Sequence, residues 1–207
     1  TNYFRETYAY GNDIKAPGIE PFLEHPELSR TAKAISGCSN VVPAIVYANL
    51  LIPGQELAIH TDVPEFRGAN RKVVPQWLLV VMLHSGLFEK WRIPIVTCVS
   101  WFGDAKGGAF TFYPEGANGK RSAISAQHNS AILIDTDMTF HGVERVAGRL
   151  PDLALIGKKT RLHFCGETTW ELRESKEVID TFGWSDIRYS ISWKAYGACV
   201  VTGRYIC

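Results

Sequence analysis

At 207 residues the chain is long enough for one compact core and short for two, and with 46% hydrophobic residues, 21% charged residues and a formal net charge of +1 its composition is that of an ordinary globular protein. The near-cancelling charge argues against a nucleic-acid partner, and the apolar stretches at 41–59 and 77–83 fall short of the roughly 18 uninterrupted residues of a membrane span. Residues 1–12 lack the basic-then-apolar order of a secretory signal. The sequence starts at Thr1 without an initiating Met, so targeting is not read from this end. Five scattered cysteines (Cys38, Cys98, Cys165, Cys199 and Cys207) with no CxxC read as reduced thiols of an intracellular, cytoplasmic protein.

Taken in chain order, 26–36 has helix formers with an early acid, later bases and a closing Gly37, which predicts a short helix. The β-rich run 41–51 predicts a strand stopped by Pro53-Gly54. A second strand over 55–62 puts His60 and Asp62 on one face. The apolar residues between Pro75 and Trp91 fit a helical stripe, so 75–91 is expected to be an inserted helix. Strands are expected at 95–102, 109–113 (after the Gly107-Gly108 turn), 130–135 with 139–146, and 160–170. A loop covers 147–159, a helix is expected at 174–181, and 187–196 alternates as a strand. No element is assigned to 197–207. These short strands with turn chemistry between them predict a mainly β fold with flanking helices, a jelly-roll or cupin-like barrel. The expectation is a single domain over 1–207, with a barrel core at about 41–170.

The chemistry centres on His60-Thr61-Asp62. An imidazole and a carboxylate two positions apart on one strand face reach the same ion. A second imidazole from a distant strand completes a 2-His-1-carboxylate face that suits non-haem Fe(II) and leaves coordination positions open. By itself His-x-Asp is a weak signal. Its context adds to it: a Pro-Gly turn precedes it, and Gly107-Gly108-Ala-Phe-Thr-Phe-Tyr-Pro, an apolar strand to Asp135, and Phe140-His141-Gly-Val143 follow in order.

In that order of motifs, from about Val46 to Trp170, the chain resembles the Fe(II)/2-oxoglutarate dioxygenase superfamily, and within it the prolyl-hydroxylase-like branch. The resemblance implies that His60, Asp62 and His141 hold iron and are the catalytic centre. It implies that a basic residue opening the last barrel strand pairs with the distal carboxylate of 2-oxoglutarate. Arg161 fits that role, because a guanidinium fork suits a carboxylate; Arg149 is its rival. Trp101 stands where relatives place a cosubstrate-contacting tyrosine, and Phe110 looks like an apolar wall of the same pocket. The implied reaction consumes 2-oxoglutarate and O2, with ascorbate as a reductant, releases succinate and CO2, and hydroxylates or otherwise oxidises an unactivated C–H bond. Because Asp62 is retained, oxidation is favoured over halogenation.

Several residues have plainer readings. His128 can replace His141 on paper, but it lacks the following Gly-Val. His84, His163 and His25 read as structural or surface histidines, with His163 facing inward. Trp101 and Phe110 are equally satisfied as core aromatics. Glu65, Phe66 and Arg67 either face substrate or form a surface loop. The substrate is a small molecule or a peptide, and the oligomeric state is open. A 2-oxoglutarate-independent or non-enzymatic cupin-like metal-binding barrel is the alternative.

Overall fold

Along 40–51 the even-numbered residues Val46, Ala48 and Leu50 are apolar, whereas Tyr47 and Asn49 carry polar ends. In the computed structural model, which describes residues 3–152 and 156–198, that alternation becomes a sheet with two unlike faces. The elements are β1 (Phe4–Tyr10), β2 (Asp13–Ile14), α1 (Glu20–Leu23), α2 (Pro26–Ser36), β3 (Asn40–Leu51), β4 (Leu57–His60), β5 (Glu65–Phe66) and α3 (Gln76–Ser85). There follow β6 (Arg92–Ile93), β7 (Ile95–Phe102), β8 (Phe110–Tyr113), β9 (Ser122–Ile124), β10 (Ser130–Asp135) and β11 (Phe140–Val143). The last are β12 (Thr160–Phe164), β13 (Thr169–Glu174), β14 (Glu177–Gly183) and β15 (Arg188–Ala198).

A six-stranded sheet runs β10-β7-β15-β3-β1-β2, and a four-stranded sheet runs β4-β11-β8-β9. The strand pairs are antiparallel, giving the jelly-roll class of fold expected. The outer face of the large sheet is apolar. Val46, Val96, Cys98 and Trp193 pack there against Leu23 of α1 and Ala32 of α2. Its inner face, opposite the smaller sheet, is where polar residues are buried: Thr97 from β7, and Arg188, Ser190, Ser192 and Lys194 from β15.

Helix α2 has the expected bounds and closes on Gly37 in a left-handed conformation, φ 68°. The inserted helix is shorter than expected: α3 stops at Ser85, Gly86 caps it, and only a turn of 3-10 helix follows at Glu89–Trp91. Its sequence is apolar all round, yet within it only Leu79 is buried.

Two expectations fail at the chain's C-terminal end. The single strand expected over 160–170 is a hairpin, β12 and β13, turned at Gly166 and Glu167, both at positive φ. The helix expected at 174–181 is strand β14, paired to β13 along its length. Its helix-forming Glu and Lys sit at the turn, where Ser175 takes φ 57°, while Val178, Ile179 and Thr181 lie in the strand. This hairpin supplies Trp170, Leu172 and Phe182 to cover Ala48, Leu50 and Ile52 on the outer face. The barrel is therefore not completed within 41–170. Its central strand is β15, between β3 and β7.

Of the cysteines, Cys98 and Cys165 are free. Cys38 is disulfide-bonded, against the expectation of reduced thiols; Cys199 and Cys207 lie outside the described residues. Only the first two residues of 197–207 and part of the 147–159 loop are described. Among the described residues no helix is long and apolar enough to cross a membrane.

Trp193 ties β15 to the helical layer. It is fully buried, and its indole N–H donates to the Leu23 carbonyl at 2.7 Å. Trp193→Ala should cost about 3–5 kcal/mol by leaving a cavity and an unsatisfied carbonyl, read as a lower urea midpoint at unchanged slope.

Candidate metal centre and cavity

Strands β4 and β11 are neighbours, and their register sets His141 opposite His60. Close approach depends on Gly142, since a Cβ there would lie 2.7 Å from the Leu57 carbonyl oxygen. Beyond the end of β4, the Asp62 backbone N–H donates to the Thr136 carbonyl at 2.8 Å and fixes that turn. As a result, one ligand atom from each of His60, Asp62 and His141 lies within 4.8 Å of the others.

The protonation states suit a metal. His60 Nδ1 lies 2.8 Å from the Ala58 carbonyl and His141 Nδ1 lies 2.9 Å from that of Thr139. A carbonyl only accepts, so each ring donates from Nδ1, which leaves Nε2 as the atom directed to a metal. Burial lowers the pKa of His141, favouring the neutral ring that a metal requires. Burial also works against the Asp62 carboxylate, but the charge and hydrogen bond of Lys194 outweigh it and hold the pKa at about 2. Two neutral imidazoles and an ionised carboxylate fit Fe(II) as a donor set.

The triad opens into a cavity of about 410 Å³ between the two sheets. At one end of it, Arg188 is 2% exposed. Its Nε donates to the Gly108 carbonyl at 2.6 Å, while Nη2 is buried without a hydrogen-bond partner. No carboxylate pairs with it among the described residues, and burial pushes its pKa down to about 10. Gly108 is required here, since its φ is +61° and a Cβ would come within 2.5 Å of Arg188 Cδ.

A structure of a 2OG-Fe(II) oxygenase family oxidoreductase from Burkholderia pseudomallei superposes with a TM-score of 0.53 at 11% identity, over 94% of this chain and 66% of that one. The fold is that of the 2OG-Fe(II) oxygenases. The chain spans just under two thirds of that oxygenase's length. Other similar structures are a Pseudomonas putida prolyl-4-hydroxylase (TM-score 0.47, 11% identity, 94% and 72% of the two chains) and the viral collagen prolyl hydroxylase of Paramecium Bursaria Chlorella virus-1 (0.49, 12%, 95% and 80%). No family model and no curated protein matches the sequence.

Within this oxygenase fold, the residues singled out from sequence separate into two groups. His60, Asp62, His141, Phe110 and Glu65 all line the cavity, and Phe110 stacks on the His141 ring at 5.7 Å. Arg161 does not: it is exposed on β12 and donates to the carbonyls of Lys158 and Thr160. Its rival Arg149 is exposed too, and paired with Asp180. Trp101 is buried behind the wall, 5.9 Å from Phe110 and beneath Arg188, with its indole N–H unpartnered. His128 accepts from the Gly103 N–H, away from the triad, and His163 is exposed rather than inward. Phe66 is buried against Phe88, and Arg67 is not on the cavity wall.

Arg188 and Lys194 went unnoticed in the sequence. Their signal is the alternation Arg-Tyr-Ser-Ile-Ser-Trp-Lys, polar at every second position of a strand whose other face is apolar.

Behind Asp62 stands a further carboxyl pair. Thr136 lines the cavity and its hydroxyl bonds to that of Thr97 at 2.7 Å. Its neighbour Asp137 is fully buried, 3.1 Å from Arg92 Nη1. Burial and the adjacent Asp135 carboxyl raise the pKa of Asp137 well above the carboxylate range, against the pull of Arg92. The folded state therefore holds a proton that the unfolded chain releases. This contribution to stability is complete below the ordinary carboxylate pKa and is lost as pH rises above it. Melting temperatures at about pH 5 and about pH 8 should thus differ more for the native protein than for Asp137→Asn, in which the side chain stays neutral.

Proposed function

We propose that the protein is an Fe(II)- and 2-oxoglutarate-dependent oxygenase that hydroxylates or otherwise oxidises an unactivated C–H bond of its substrate, with O2 consumed and succinate and CO2 released. One observation carries the reading: a His-Asp-His triad and a buried arginine without a counter-ion share one cavity. His60, Asp62 and His141 would hold the iron. Bound iron, 2-oxoglutarate and O2 supply the oxidising chemistry; the protein supplies position and electrostatics.

Arg188, not Arg161, is the partner for the distal carboxylate of 2-oxoglutarate. A guanidinium already stripped of water and fixed by Gly108 pays little further desolvation or ordering when a carboxylate arrives. Phe110 keeps that end of the cavity apolar and fixes the His141 ring. The backbone carbonyls of Ala58 and Thr139 hold both imidazoles in the tautomer that presents Nε2.

Anaerobic addition of Fe(II) and 2-oxoglutarate should give a visible charge-transfer band that His141→Ala abolishes. Arg188→Ala removes charge-assisted hydrogen bonds of about 1.5–3 kcal/mol and should weaken 2-oxoglutarate binding roughly ten- to a hundredfold. Arg161→Ala should leave it unchanged. No band at saturating ligand would favour a non-enzymatic barrel, and a loss confined to the Arg161 variant would reverse the arginine assignment.

A further inference from the structure

Six residues along β15 from Arg188 and on the same face, Lys194 is buried and bonded to Asp62. Arg71 lines the same cavity and has no ion pair among the described residues. It lies near enough to Lys194 and Tyr196 to perturb both. Two more cations stand at the exposed rim. The Arg5 guanidinium lies 3.7 Å over the Tyr47 ring, and the Lys72 ammonium 4.7 Å over that of Tyr10. The carboxylate facing this group, apart from Asp62, is Glu65, which accepts from the Tyr196 hydroxyl.

The charges do not balance. With the site loaded, the two charges of iron and that of Arg188 are met by Asp62 and the two carboxylates of 2-oxoglutarate. Lys194, Arg71, Arg5 and Lys72 are then left with Glu65 alone. The whole chain carries only +1, so this excess belongs to the cavity and not to the protein at large. A partly desolvated group of like charges is stabilised by an anion.

We propose that the outer half of the cavity takes a small organic anion, its carboxylate or phosphate held between Lys194 and Arg71 with Arg5 and Lys72 at the rim. The proposal names the substrate class for the oxygenase function above and rests on that reading. A small molecule is favoured over a peptide because walls from β1, β3, β15 and the loop before α3 surround the space.

The test is calorimetry on the full chain without metal, titrated with succinate, inorganic phosphate, neutral succinamide and a short oligoglutamate. Succinate or phosphate should bind and succinamide should not, and the preferred anion tells a carboxylate from a phosphorylated substrate. The Arg71→Gln/Lys72→Gln variant, altered only at exposed loop residues, should lose about tenfold in affinity, whereas a binding event should survive in Arg188→Gln. Anion binding that vanishes in Arg188→Gln and is untouched by the loop variant would overturn the proposal, as would no binding at all or tighter binding of oligoglutamate than of the small anions. Should Arg188→Gln fail to fold, the loop variant decides alone. A missing charge-transfer band with anion binding intact would count against the oxygenase reading and not against the anion site.

Discussion

Strand β15 buries two cations on one face, and much of the surrounding structure answers that constraint. Removing a guanidinium or an ammonium from water is costly unless a counter-charge meets it. Lys194 meets Asp62, which explains why a carboxylate in so buried a place stays ionised. Among the described residues, Arg188 meets only the Gly108 carbonyl and the hydroxyl of Ser190, the latter at 3.4 Å. The fold therefore carries one satisfied buried charge beside the triad and one unsatisfied at the far end, with the ligand face of His60 and His141 within the same cavity. An unpaired buried charge is expensive enough that retaining it points to a ligand which pairs it.

The same constraint accounts for the unlike faces of the large sheet. The outer face gains stability by burying Trp193, Val96 and Val46 under α1 and α2, and the appended hairpin β12–β14 extends that cover over Leu50 and Ile52. The inner face is mixed: Trp101, Val99 and Leu51 are buried there against the smaller sheet, beside Thr97, Ser190, Ser192 and the two cations. The outer face thus serves packing alone, whereas the inner face combines packing with the buried polar groups that line the cavity. The central position of β15, paired along both edges, holds its inward side chains more rigidly than a loop would.

The candidate metal triad was legible because each of its parts carries a local signal. His60 and Asp62 are two residues apart, and His141 is marked by an apolar strand before it and Gly142-Val143 after it. Arg188, proposed above as the partner of the cosubstrate, was not, because β12–β14 intervene between β11 and β15. Arg188 follows His141 by 188 − 141 = 47 positions, and Arg161 occupied the first strand start after the triad. The 174–181 segment misled for a related reason. Its Glu and Lys residues favour a helix in isolation, but pairing with β13 decides its conformation. For Lys194 the alternation marks only the face it lies on; its contact with Asp62, 132 positions away, is not readable from local pattern. Short strands such as β2, β5 and β6 have too few residues to show a period at all.

The division of the cavity follows from which elements build each end. Arg188, Phe110, His60 and His141 lie on strands of the two facing sheets, where register fixes each side chain against its neighbour. Arg71 and Lys72 come from the loop before α3, and Arg5 and Tyr10 from β1, which lies next to the edge strand β2 of the large sheet. On the proposed function, an end that would hold a cosubstrate and a metal gains from rigidity, whereas an end that would select one substrate must be able to vary without disturbing the core. The rim cations are held by aromatic rings instead of hydrogen-bonded networks, as Arg5 on Tyr47 and Lys72 on Tyr10 show, so a change of charge there costs the fold little. Lys194 is the exception that joins the two ends, since it belongs to the central strand, contacts Asp62 and lines the cavity together with Arg71.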